Sequence, residues 1–195
     1  MATKRPSRGV SKAEWLDAGL RSLSDVGIAG LSVEGLARSL GIARAGFYWH
    51  FKDRDELLRD MLDYWIHEIT EIITRNDQLL GLDPRARLTK TAEVILDNDL
   101  TRYEIPIRQW ALTDLEAARA VRKANRMRLD FVRGAFADLG FKGDDLEMRA
   151  MMFTCYHTWE LAMFPEISRR RRRGLIAKRI ELLTRQTTAS RSPNA

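Results

Sequence analysis

The chain has 195 residues, 45% hydrophobic and 31% charged, with a formal net charge of +6. That composition suits one large or two small globular domains with a real core. It excludes a spanning helix, because no charge-free apolar run approaches the ~20 residues a bilayer needs, and the single cysteine, Cys155, excludes an intrachain disulfide.

The charge is unevenly spread. Residues 1–52 hold 8 Lys/Arg against 4 Asp/Glu and residues 165–195 hold 9 against 2, whereas 53–164 hold 16 against 21. A basic N-terminal segment on an acidic body suggests a localised polyanion site rather than general stickiness. The opening MATKRPSRG has no apolar core of a secretory signal. A cytoplasmic protein without membrane contact is expected.

Helical periodicity dominates and no alternating β-branched run occurs, so the fold class expected is all-α. Ser11-x-x-Glu14 reads as a capping box opening a first helix. Trp15, Leu16, Leu20, Leu23 and Val26 keep one face of it, and Gly27 stops it. Ser32 can cap a short second helix over 33–40, ended by Gly41, and Ile42 leads into a third that finishes near His50. Asp53-x-x-Glu56 opens a long helix with the stripe Leu57, Leu58, Met61, Leu62, Trp65, Ile66, Ile69 and Ile73, expected to reach about Asn76. Asp83-Pro84 starts the next, to about 99. A short helix around Pro106 to Leu112, long ones over 114–139 and 144–164, and a last one over 170–186 complete the reading. The division expected is a basic head of short helices over 1–52, a larger helical domain over 53–187, and a disordered tail over 188–195.

The stretch GIARAGFYWHFKDRDEL, 41–57, crowds aromatic rings against charge. A core helix would space such rings by three or four residues, so some of them must face outward. Two short helices joined through Gly41 make a helix-turn-helix, whose second helix fits the major groove. On that helix Phe47 and Phe51 share a face that can anchor on the first helix and on Leu36 and Leu40. Arg44, Ala45, Tyr48 and Trp49 lie towards the other side. Arg44 can reach a guanine edge, while Tyr48 and His50 can bond phosphate oxygens. Small Ala43, Ala45 and Gly46 allow close approach of the backbone to the duplex.

The run GIAGLSVEGLARSLGIARAGFYWHFKDRDELL, 27–58, closely resembles the DNA-binding domain of the TetR family of transcriptional regulators. The resemblance implies DNA contacts at Ser32, Arg44, Tyr48, His50 and Lys52, with Glu34 and Arg54 on the same surface. Gly46 stands where the family usually has Thr, and Glu34 offers a carboxylate where some members carry a basic base-reader. Beyond residue 58 the likeness is architectural: a long linking helix, then a variable helical domain for ligand binding and dimerisation. It implies a homodimer on pseudo-palindromic double-stranded operator DNA, seated through its last two helices.

The remaining motifs have ordinary readings. Arg169–Arg173 is expected to be a solvated loop and first turn, and Cys155 a buried small residue. His157 and Glu160 share a face with Phe153, Tyr156 and Phe164; they form either a satisfied polar pair in the core or dimer seam, or a polar handle in a ligand cavity. Trp65, Ile69, Trp110, Met127, Phe131, Met152 and Tyr156 are the other candidate walls of such a cavity, which would take an apolar or aromatic effector. A ligand between the helix from Asp53 and the helices 114–139 and 144–164 could tilt the former and respace two DNA heads. The rival reading is a DNA-binding dimer that is constitutive or answers to a protein partner, its C-terminal half solid. With three His and one Cys, zinc signatures are absent, and neither a paired Glu-x-x-His set nor a P-loop or dinucleotide fingerprint occurs. No enzymatic activity, metal or cofactor is expected.

Overall fold

A computed structural model describes residues 9–186, all helices and connections with no strand among them. The expected tail over 188–195 and most of the basic N-terminus lie outside the described residues. Helix α1 (Lys12–Gly30) opens with the capping box: Ser11 Oγ accepts from Glu14 N at 3.3 Å and Glu14 Oε2 accepts from Ser11 N at 2.7 Å. Gly27 breaks it as expected, with φ 68° and ψ 177°, a backbone region essentially restricted to glycine. One more helical turn follows. Because the helix kinks there, Val26 leaves the buried stripe and is exposed.

Helix α2 (Val33–Ser39) starts at Ser32, whose Oγ accepts from Gly35 N at 3.1 Å. Gly41 turns the chain in the left-handed region, φ 68°. The third element, Arg44–Trp49, is a 3-10 helix rather than an α-helix. Its bonds run from Gly46 N to Ala43 O and from His50 N to Phe47 O, both 2.9 Å. No side chain caps its start at Ala43, which leaves the tighter winding favoured for so short a piece.

Helix α3 (Arg54–Ile66) is capped by Asp53, whose Oδ1 accepts from Glu56 N at 2.8 Å. The expected unbroken helix to residue 76 is interrupted. A π-helical segment, His67–Glu71, adds a residue to the turn before the chain resumes as α4 (Ile72–Thr74). Asn76 then caps a short α5 (Asp77–Leu80) that the sequence reading missed. The rest follow closely: α6 (Pro84–Asp97), α7 (Glu104–Trp110), α8 (Leu115–Asp138), α9 (Gly143–Met163) and α10 (Arg169–Thr184). Asp83 and Asp114 cap α6 and α8 as their positions suggest.

The chain divides into two compact units. The first runs through Ile72 and adds Arg102–Arg126; the second comprises Ile73–Thr101 and the residues from Met127. The boundary drawn from sequence at residue 53 therefore falls inside the first unit. The physical reason is packing: Trp15, Leu36, Phe47, Phe51, Leu57, Met61, Trp65 and Ile107 are all buried there. Asp17 of α1 also binds residues just before α7, accepting from the Tyr103 hydroxyl at 3.2 Å and from Arg102 at 3.4 Å. The second unit has its own core, with Leu88 and Ala92 of α6, Val132 and Phe136 of α8, Phe153 of α9 and Ile176, Ile180 and Leu183 of α10.

Candidate nucleic-acid interface and effector cleft

The rings of FYWHF divide as their spacing requires. Phe47 and Phe51 are 0% and 2% exposed. Phe47 meets Trp15 edge-on at 5.5 Å between centroids and stacks on Phe51 at 5.1 Å, fixing the 3-10 helix on α1. Tyr48 is exposed, and Trp49 is 87% exposed. A tryptophan left so open has no role in the fold of this unit, so its position is informative about contacts.

Around these rings lies a polar surface. Arg44 is exposed; its Nη1 is 2.6 Å from Glu34 Oε1 and its Nη2 donates to the Tyr48 hydroxyl at 2.9 Å. The bond to Tyr48 and the Glu34 charge raise the Arg44 pKa still further, so its charge is permanent. Ser32, Ala43, Ala45 and Lys52 are exposed beside it and Gly46 is half-buried. A Cβ on Gly46 would sit 3.3 Å from Ile42 Cδ1, so the missing Thr reflects tight local packing as well as a lost hydroxyl.

Two of the expected DNA contacts also bond within the head. His50 Nε2 lies 2.7 Å from the Val10 carbonyl, tying the 3-10 helix to the start of α1. Arg54 donates from Nε to Leu31 O at 3.2 Å and from Nη2 to Ile28 O at 2.9 Å. It satisfies carbonyls left unpaired at the end of α1. Both residues therefore help to hold the head together.

The candidate cavity residues are divided between the two units. Trp65, Ile69 and Trp110 are buried in the first unit, while Met127, Phe131, Met152, Tyr156, His157 and Glu160 belong to the second. No cavity inside either unit can use them together. Met152 is exposed, as is Cys155, against the expectation that it is buried. Both lie on one face of α9 with Met148, Met151, Trp159 and Met163, an apolar stripe left open to solvent.

The second unit does contain a cleft of about 410 Å³, walled by α6, α9, α10 and the connections after α6 and α9. His157 and Glu160 line it, as the cavity reading anticipated; Ile95, Leu96, Arg172 and Arg179 line it without having been singled out. Arg172 corrects the solvated reading of the arginine run: it is 3% exposed, donates to Ile167 O at 2.9 Å and to Phe164 O, and faces Glu160 at 3.5 Å. The signal was available, since the buried stripe Ile176, Ile180 and Leu183 extended back by four residues reaches Arg172. Its neighbours Arg169 and Arg173 pair with Asp97. Burial, and then the Arg179 charge, holds the His157 pKa down to about 3, so its imidazole is neutral.

A helix-turn-helix whose second member exposes Arg44, Tyr48 and Trp49 defines a regulator of the DNA-binding helical class. Residues 16–61 match the profile of "Bacterial regulatory proteins, tetR family". The HTH-type transcriptional regulator AcrR of Shigella flexneri is 28% identical over 86 residues, covering 44% of this chain and 40% of that protein. BetI of Burkholderia cenocepacia is 28% identical over 100 residues, covering 51% and 50%. The matched part thus spans half or less of these curated relatives. Among solved structures, the transcriptional regulator FadR of Bacillus subtilis in complex with stearoyl-CoA superposes with a TM-score of 0.66 at 15% identity, covering 89% of this chain and 98% of that one. The matched domain, the curated relatives and the solved structures all indicate the TetR family of transcriptional regulators. The chain's relatives are regulators and not enzymes. Among the described residues no helix is long and apolar enough to cross a membrane.

Proposed function

We propose that the protein is a repressor that binds pseudo-palindromic operator DNA as a homodimer and is released by a small molecule held in the second unit. The observation that carries the reading is the split ring cluster, with Phe47 and Phe51 buried and Arg44, Tyr48 and Trp49 outward. Arg44 reads a base edge, since a guanidinium matches the guanine O6 and N7 acceptors. Ser32, Tyr48, Trp49 and Lys52 position the phosphate backbone. The exposed stripe of α9, from Met148 to Met163, supports the dimer, because a run of large apolar side chains on a solvated helix asks to be covered. The cleft at His157 and Glu160 supports the small molecule, and FadR, a protein of the same fold, is described with stearoyl-CoA.

Two substitutions test the DNA assignment on one selected site. Arg44→Ala weakens binding by about 1–3 kcal/mol per half-site and relaxes preference at one base pair. Lys52→Ala weakens every sequence alike and lowers the salt slope by about 1. Binding of a permuted-site panel at several salt concentrations separates the two. An unchanged motif with Arg44→Ala removes Arg44 as the base reader.

A further inference from the structure

The charges around the cleft do not balance. Arg169 answers Asp97 at 3.5 Å and Arg172 faces Glu160 at 3.5 Å. Glu160 also accepts from the Tyr156 hydroxyl at 2.5 Å. Asp99 also lines the cleft and is an exposed residue, with φ 50°. Arg179 is different. It is half-buried over the Tyr156 ring, 4.0 Å from its centroid, and no carboxylate lies within ion-pair distance of it among the described residues. Its Nε has no hydrogen-bond partner, nor does Nε2 of buried His157 on the same cleft. Glu160 and Tyr156 offset part of its charge, but a partly desolvated cation with no carboxylate in direct contact remains unfavourable in the empty protein. Burial accordingly lowers its pKa.

Aliphatic side chains make up much of the rest of the wall, beside the hydroxyls of Thr101 and Ser168. Ile95, Leu96, Leu161, Ile167 and Ile176 are among them, and His157 is the one aromatic ring among the lining residues. We propose that this cleft binds an aliphatic monocarboxylate, its carboxylate on Arg179 and its chain along the isoleucines and leucines of α6, α9 and α10. The proposal deepens the effector reading above and rests on it for its regulatory consequence. A single charge is specified because one guanidinium lacks a direct ion pair and Glu160 acts on it from nearby; a dianion such as a phosphate monoester would meet that carboxylate. A guanidinium–carboxylate pair can form two parallel hydrogen bonds, which neither an alcohol nor an ammonium head can match. Of the apolar or aromatic effector expected from the sequence, the aliphatic part of this wall favours the apolar kind.

The test is calorimetric titration of the full chain, without DNA, with octanoate, 1-octanol and octyltrimethylammonium. Octanoate binds about tenfold or more tightly than octanol, the scale of one charge-assisted contact, and the ammonium more weakly still. Arg179→Met keeps the stem against Tyr156 and removes the preference for octanoate over octanol. Glu160→Gln acts in the opposite direction, tightening octanoate and leaving octanol unchanged. Leu161→Trp, placed on the cleft wall, weakens octanoate and octanol together, so the site remains testable if Arg179→Met fails to fold. Equal binding of octanoate and octanol by the wild-type protein, or an octanoate preference that survives Arg179→Met, overturns the proposal. Charge-selective octanoate binding that leaves operator affinity unchanged upholds the cleft and removes only the effector reading. Operator release by another compound, with no octanoate binding, overturns the cleft and leaves the effector reading standing.

Discussion

Phe47→Ala lowers unfolding stability by about 3–5 kcal/mol, the range for removing a fully buried phenylalanine. Its ring is 0% exposed and touches Trp15, Tyr48 and Phe51. The residual cavity would lie directly under the 3-10 helix, which no side-chain cap holds. Such a loss is a large share of the 5–15 kcal/mol that stabilises a typical domain. Trp49→Ala is the contrasting change two residues on: stability stays within about 0.5 kcal/mol, as for an exposed site, while operator affinity falls. Urea denaturation and fluorescence-anisotropy titration of both variants check the pair. Equal destabilisation by the two substitutions would contradict the division of the ring cluster.

Acid should unfold the protein partly through His157. In the unfolded chain a histidine titrates near pH 6.5, whereas in the fold it stays neutral down to about 3. Between those values the unfolded state binds a proton that the folded state refuses. The His157 contribution is therefore complete above pH 6.5 and declines as pH falls towards 3, by at most about 1.4 kcal/mol per pH unit. The cause is burial first and the Arg179 cation second. Urea midpoints of the wild type and His157→Leu at pH 7, 6 and 5 isolate this slope from the other titrating groups. The leucine variant loses less stability over that interval; parallel pH dependences would show that His157 takes up its proton in the folded state.

Local signals made most of the fold legible. Ser11, Ser32, Asp53, Asp83 and Asp114 each cap the helix they announce, because a short oxygen-bearing side chain before an apolar stripe satisfies otherwise unpaired amides. The orientation of Phe47 and Phe51 followed from their four-residue spacing. What periodicity could not supply is how a side chain is used after folding. His50 and Arg54 sit in a DNA-binding motif but bond Val10, Leu31 and Ile28 carbonyls, partners 40, 23 and 26 residues away. Trp65 and Ile69 are regular members of a stripe, and a stripe does not say which unit it faces. The π segment at His67–Glu71 left no mark in the apolar pattern. Cys155 was misplaced because a charge-free helix face can be a core or an uncovered surface with the same composition. Met148, Met151 and Met152 around it are open to solvent, which is where the proposed second subunit would sit.

The most direct test of the account is selection of bound duplexes from a random DNA pool by the full-length protein, followed by sequencing. The account predicts an enriched inverted repeat whose half-sites are spaced by about one helical turn, 10–10.5 base pairs, or a multiple of it, because operator symmetry mirrors that of the dimer. A pool that returns no enriched motif, or a motif without two-fold symmetry, would contradict it.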